Sequence, residues 1–183
     1  MKKSFISLAF VSLFSFGFTA SAGAQNKTTA SKVGTLAAVT ENVLAITGTS
    51  TGNETVDHFL KSTASLLEKY KTVNTTLSAF QILKEGTSRS ITKDGQVLTK
   101  LAALGQLSGI SKQLTTLGGE TTKTASTGTE LLKSLIAEKS KTTESKETVT
   151  KVETAMAALN LLGTEIPQSV QNTASLLAVL KKL

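Results

Sequence analysis

The chain has 183 residues, 20 of them basic and 13 acidic, with no cysteine, no tryptophan and one histidine. Without cysteine there is no disulfide, no thiolate metal site, no cysteine nucleophile and no lipid-bearing cysteine, so stability has to come from packing. Arg89 is the only arginine, and since sequence-reading and phosphate-clamping sites favour the planar guanidinium fork, nucleic acid is not an expected partner.

Lys2 and Lys3 precede an apolar run from Phe5 to Phe18, and Ala22-Gly23-Ala24 follows with the small-x-small step at which a signal peptidase cuts. The run is shorter than the roughly 20 residues of a membrane-spanning helix. Residues 1–24 are therefore expected to be a removable secretory signal, and the periplasm or exterior of a bacterium the destination. Removing them leaves 18 basic against 13 acidic residues, a balance of +5, and only Phe59, Tyr70 and Phe80 as aromatics. The core must be aliphatic, which suits slim helices better than sandwiches or barrels.

Residues 25–32 are polar and are expected to form a flexible N-terminal segment, with residues 33–183 as a single helical-bundle domain. Val33, Leu36, Val39, Val43 and Ile46 share one face of a first helix that ends at Gly48. Thr51-Gly52-Asn53-Glu54 has the spacing of a capping box and should open a second helix. That helix carries the clearest periodicity in the chain: Phe59, Thr63, Leu66, Tyr70, Val73, Leu77 and Phe80 alternate in steps of four and three, a coiled-coil-like seam. Asp57 with Lys61 and Glu68 with Lys71 have ion-pair spacing on its exposed side. The pattern carries the helix to about Glu85.

Ile91 to Val97 places Asp94-Gly95 between short β-tolerant flanks, which leaves room for a small β-hairpin near residues 90–98. The marginal stability of an isolated hairpin favours a polar loop instead. Val97, Leu101, Leu104, Leu107, Ile110, Leu114 and Leu117 mark a third helix that Gly118-Gly119 would close, and the strip Ala102, Gly105, Gly109 suits close packing. Thr127-Gly128-Thr129-Glu130 repeats the capping-box spacing ahead of Leu131, Leu132, Leu135 and Ile136. Residues 138–148 are almost wholly polar, an exposed turn or protruding helical end. Periodicity resumes with Val149, Val152, Met156, Leu159 and Leu162 up to Gly163, and Pro167 fits the first turn of a last helix carrying Ile166, Val170, Leu177 and Leu180. The sum is an all-α chain, an antiparallel helical bundle of five or six helices with one long central helix.

Little catalytic material is present. His58, the only imidazole, has no base-orienting partner in its sequence surroundings, and Glu138, Glu144 and Glu147 lie where a pKa-raising apolar pocket is hard to build. No metal, cofactor or small-molecule substrate is expected, and the carboxylates leave a cell-wall sugar hydrolase as a remote alternative. Asn-x-Ser/Thr triplets at Asn26, Asn53 and Asn74 are chance matches where Ser and Thr make up 44 of the last 159 residues. That abundance itself has several candidate causes, local bonding of side chains to the backbone among them. The reading is an exported, non-enzymatic protein with a structural or interaction role, pairing with a protein partner or itself through Phe59, Leu66, Tyr70, Val73, Leu77 and Phe80. The rival is a membrane-surface binder, suggested by amphipathic helices and by Lys181-Lys182-Leu183.

Overall fold

The computed structural model describes residues 38–85, 88–138 and 143–183. The expected signal, the polar segment 25–32, and Val33 and Leu36 of the first helix lie outside the described residues. The described chain is 81% helical, with four helices and one small three-stranded antiparallel sheet. In order these are α1 (38–47), α2 (Glu54–Ser78), β1 (Phe80–Glu85), β2 (Ser88–Lys93), β3 (Gln96–Val97), α3 (Lys100–Glu138) and α4 (Thr143–Lys182).

Four helices replace the expected five or six because Gly118, Gly119, Gly128, Gly163 and Pro167 all lie inside α3 and α4 rather than at their ends. An interior glycine costs a helix only about 1 kcal/mol, which tertiary packing readily outweighs. At Gly128 the packing needs it. A Cβ there would stand 2.6 and 2.7 Å from Cζ and Cε2 of Phe59 and would collide with Sδ of Met156. The missing side chain thus lets α2, α3 and α4 converge on one point. Pro167 removes one backbone donor, the N–H that would bond the carbonyl of Gly163, and α4 continues through it.

Pairs along the helices fix their directions. Gly128 meets Met156, and the Cβ position of Gly118 lies 3.6 Å from Cγ2 of Ile166, so α3 and α4 run antiparallel. Phe59 meets Gly128 while Lys69 reaches Glu120 at 3.3 Å, so α2 also runs antiparallel to α3. Tyr70 bonds Ser169, and α2 lies parallel to α4. With 39 and 40 residues, α3 and α4 each extend for nearly 60 Å, against about 37 Å for the 25 residues of α2. The long elements are therefore the third and fourth helices, not a single central one.

The core is aliphatic apart from Phe59, Tyr70 and Phe80, and Val43 of α1 is fully buried in it. Leu107, Ile110, Leu114 and Leu117 line the inner face of α3, joined by Ala103, which is 0% exposed. Leu101 and Leu104, expected on that stripe, are 80% and 39% exposed. The covered face at the start of α3 is thus the one that carries the small Ala103.

Where the seam pattern extends the second helix to Glu85, α2 stops at Ser78 and Phe80–Glu85 becomes an edge strand. Its partner decides this: β1 pairs antiparallel with β2 from Phe80↔Lys93 to Glu85↔Ser88. Backbone bonds to β2 then satisfy some of the groups that a last helical turn would leave open. The β2–β3 hairpin turns on Asp94 (φ 52°) and Gly95 (φ 78°), two successive positive values as a type I′ turn requires. The hairpin is therefore formed, and a third strand stabilises it.

The contrast between Gly128 and Gly118, the glycines of α3 that face α4, is testable. Gly128→Ala should destabilise the chain by about 1–3 kcal/mol through overpacking against Phe59 and Met156. Gly118→Ala meets only ordinary contact and should stabilise by up to about 1 kcal/mol through helix propensity. Denaturant midpoints that move in opposite directions are the expected outcome; equal shifts would disprove the close approach at position 128.

Candidate functional site

The residues of the α2 seam are all buried within the chain. Phe59, Leu66, Tyr70, Val73, Leu77 and Phe80 are between 1% and 8% exposed. The first five come from α2, which contacts both α3 and α4, and Phe80 arrives from β1. The seam closes intramolecularly, so a partner would meet other surfaces. Within it, the Tyr70 hydroxyl is 2.9 Å from Oγ of Ser169, which in turn donates to Oδ1 of Asn74 at 3.4 Å. This short chain of bonds lets a phenol sit in an apolar core without an unpaired oxygen. Burial, with a smaller push from Glu165, raises the Tyr70 pKa from 10.0 to about 12.

The start of α2 is tied by a different residue from the one the capping-box spacing selects. Asn53 is the N-cap: its Oδ1 accepts from the backbone N–H of Thr55 (3.1 Å) and Val56 (3.2 Å). Thr51 and Ser50 instead bind Asp57. Its carboxylate accepts from Ser50 Oγ (2.6 Å), from the Thr51 backbone N–H (2.8 Å) and from Thr51 Oγ1 (2.7 Å). Gly52, at φ +74°, allows the chain to fold back over the helix start. The hydrogen bond from Ser50, then those from Thr51, lower the Asp57 pKa from 3.8 to about 2. Asp57 is thus committed to this loop rather than to an ion pair with Lys61.

Beside this loop a groove of about 470 Å³ runs between α2 and α3. Exposed His58 stands at one end, followed by Lys61, Ser62, Ser65, Leu66 and Lys69 from α2, with Glu120, Lys123 and Thr124 from α3 opposite. Lys69 and Glu120 bridge it at 3.3 Å. A second depression, of about 350 Å³ between α3 and α4, has uncharged walls that include Thr122, Ser126, Met156 and Asn160. Of the three candidate carboxylates, Glu147 pairs with Lys151 at 3.3 Å in the i, i+4 relation, while Glu138 and Glu144 lie on the ends of α3 and α4 on either side of the undescribed residues 139–142. Among the described residues no group of three His, Asp or Glu side chains could hold a metal ion, and no helix is long and apolar enough to cross a membrane.

A third surface was not visible in the sequence. Ile82 and Leu83 of β1, Val97 of β3, and Leu101 and Leu104 of α3 are 39% to 80% exposed, five large apolar side chains within the sheet and the first turns of α3. Pairing puts Leu83 and Val97 on one sheet face and Ile82 on the other, with buried Ile91. Strand order β1-β2-β3 makes β1 an edge strand. Asp94 N–H donates to Ala79 O, so ladder alternation turns the backbone groups of Phe80, Ile82 and Lys84 away from β2. No periodicity signal could have found this surface, because it depends on which apolar residues remain uncovered.

Comparison with family models, with curated proteins and with solved structures found no match to this chain.

Two titrations check the polar geometry. A folded-state pKa below the unfolded one makes the Asp57 loop fully stabilising above pH 3.8, with the contribution lost as the pH falls toward about 2. A carboxyl-detected NMR titration should therefore find the Asp57 midpoint near 2, and Ser50→Ala should raise it. Tyr70 behaves in the opposite sense: its neutral form belongs to the fold, so its contribution is full below pH 10.0 and is lost as the pH rises toward about 12. As the only tyrosine, in a chain without tryptophan, it should show tyrosinate absorbance near pH 12 when folded and near pH 10 in denaturant. Identical midpoints in both states would contradict the burial of Tyr70, since the hydrogen bond with Ser169 works against the upward shift.

Proposed function

We propose that this is an exported, non-enzymatic helical-bundle protein with a structural or protein-interaction role in the bacterial periplasm or outside the cell. The observation that carries the reading is the uncovered apolar set at the sheet end. Ile82, Leu83, Val97, Leu101 and Leu104 stay exposed while the α2 seam is satisfied internally. An edge strand with outward backbone groups accepts an extended segment of another chain by strand addition, and exposed apolar side chains beside it supply the burial. The twin-lysine start, the apolar run and Ala22-Gly23-Ala24 support export.

A second reading, binding to a membrane surface, draws on the same end of the molecule. Antiparallel packing brings the last residues of α4 beside the first of α3, so exposed Lys181, Lys182 and Leu183 neighbour Leu101. Basic and apolar groups together suit an anionic interface.

A photo-reactive side chain at position 83 tests the first reading. Irradiation of intact cells should yield a discrete protein adduct, either a dimer or one partner, whereas the same group at exposed Glu153, far along α4, should give none. The adduct should be lost in a Val97→Lys, Leu101→Lys variant of unchanged helicity. No adduct at position 83, with the exported chain floating on anionic vesicles, would favour the second reading.

A further inference from the structure

The groove between α2 and α3 has a charge pattern that packing does not require. Lys61, Lys69 and Lys123 enter it against a single carboxylate, Glu120. Glu120 is held by Lys69 at 3.3 Å, while Lys61 and Lys123 make no ion pair among the described residues. Asp57, one turn before Lys61, makes its hydrogen bonds to Ser50 and Thr51, and the charge of Lys61 is the smallest of the causes that lower its pKa. A concave wall of low-dielectric helix focuses the unbalanced positive potential into the groove.

The spacing selects the ligand. Lys61 and Lys69 are eight residues apart on α2, about 12 Å along the axis, and Lys123 faces from the other helix. One small anion cannot reach all three, whereas an extended chain of anions can. Lysine ammonium groups are compact point charges without the planar fork of arginine, so they favour repeated phosphates over base edges or a single bidentate group. Hydroxyls of Ser62 and Ser65 along the same wall add donors for phosphate oxygens. We propose that this groove binds a linear phosphate-bearing polyanion lying along the helix axes, with successive phosphates on Lys61, Lys123 and Lys69. Such a ligand neutralises the surplus charge without needing an enclosed pocket.

Calorimetric titration of the exported chain with inorganic polyphosphate, with orthophosphate, and with anionic lipid vesicles tests this. Polyphosphate should bind and orthophosphate should not. Its affinity should fall with salt at a log–log slope of about −0.7 per lysine engaged, so about −2 for three. Lys61→Gln with Lys123→Gln should weaken binding on the order of tenfold and make the slope shallower by about 1.4. Glu120→Gln, which removes the competing carboxylate from Lys69, should tighten it. Lys181→Gln with Lys182→Gln removes equal charge outside the groove and should leave the affinity within about twofold. Circular dichroism confirms that each variant is folded. An equal loss in the Lys181, Lys182 variant, binding to vesicles without polyphosphate, or no binding at all would overturn the proposal.

Discussion

The ring of Phe59 stands where a side chain at position 128 would have to be. This one contact sets the approach of α2, α3 and α4, because helices of ordinary side chains keep their axes roughly 8–10 Å apart and a glycine permits the near end of that range. It also fixes register. From Gly128 against Met156, ten residues back along α3 and ten forward along α4 bring Gly118 against Ile166. On α2, Phe59 in place puts Lys69 opposite Glu120 of α3 and Tyr70 opposite Ser169 of α4. The continuity of α3 through Gly118, Gly119 and Gly128 follows from the same cause. A break there would give up the three-helix contact for a saving of about 1 kcal/mol per glycine.

Threonine supplies the second half of the answer. A helix former of middling propensity recurs through α2, α3 and α4, and its hydroxyl repeatedly donates to the carbonyl four residues back. Thr63 bonds Phe59 O at 3.0 Å and Thr173 bonds Ser169 O at 2.8 Å, both fully buried; on exposed faces Thr115, Thr122, Thr129 and Thr154 do the same. The hydroxyl is thereby satisfied inside the helix that carries it, and the methyl is left to pack. A buried threonine then behaves nearly as a valine. This is how a chain so rich in hydroxyls keeps an aliphatic core, and it singles out local side-chain bonding as a structural use for the threonines.

The sequence made the seam legible because burial imposes a period, and each residue of that period is buried. It left open what covers the seam, since a stripe carries no address for its partner. Glycine misleads for a related reason. As a helix end and as a point of close approach it looks alike in the local sequence, and at position 128 the distinction rests on Phe59, far away in the chain. Phe80 continues the step of three that the seam establishes, yet the segment it begins is drawn into a strand by pairing with Ser88–Lys93. Asp94-Gly95 is legible where Phe80–Glu85 is not, because two positive φ values are a local demand and strand pairing is not. The groove was invisible for want of α3 beside α2: Lys61, Lys69 and Lys123 belong to separate stretches of sequence that look like ordinary solvated faces.

The best apolar stripe is used internally, between α2 and the two long helices. Apolar burial runs along the middle of the helices, and five of the exposed large apolar side chains lie in the small sheet and the first turns of α3. On the flank between α2 and α3, Lys61 and Lys123 line the groove together with Lys69, which is paired with Glu120. The two surfaces differ in chemistry and also in place: Lys123 is 19 residues beyond Leu104 on the same helix, roughly 28 Å along its axis. At that distance, several Debye lengths at physiological salt, charge in the groove has little direct influence on the sheet end. Any coupling between them would have to travel through α3 itself, a continuous helix pinned by Phe59 at Gly128 and by Ile166 at Gly118. Distance and screening thus separate the two surfaces electrostatically, and α3 is the one continuous element that joins them.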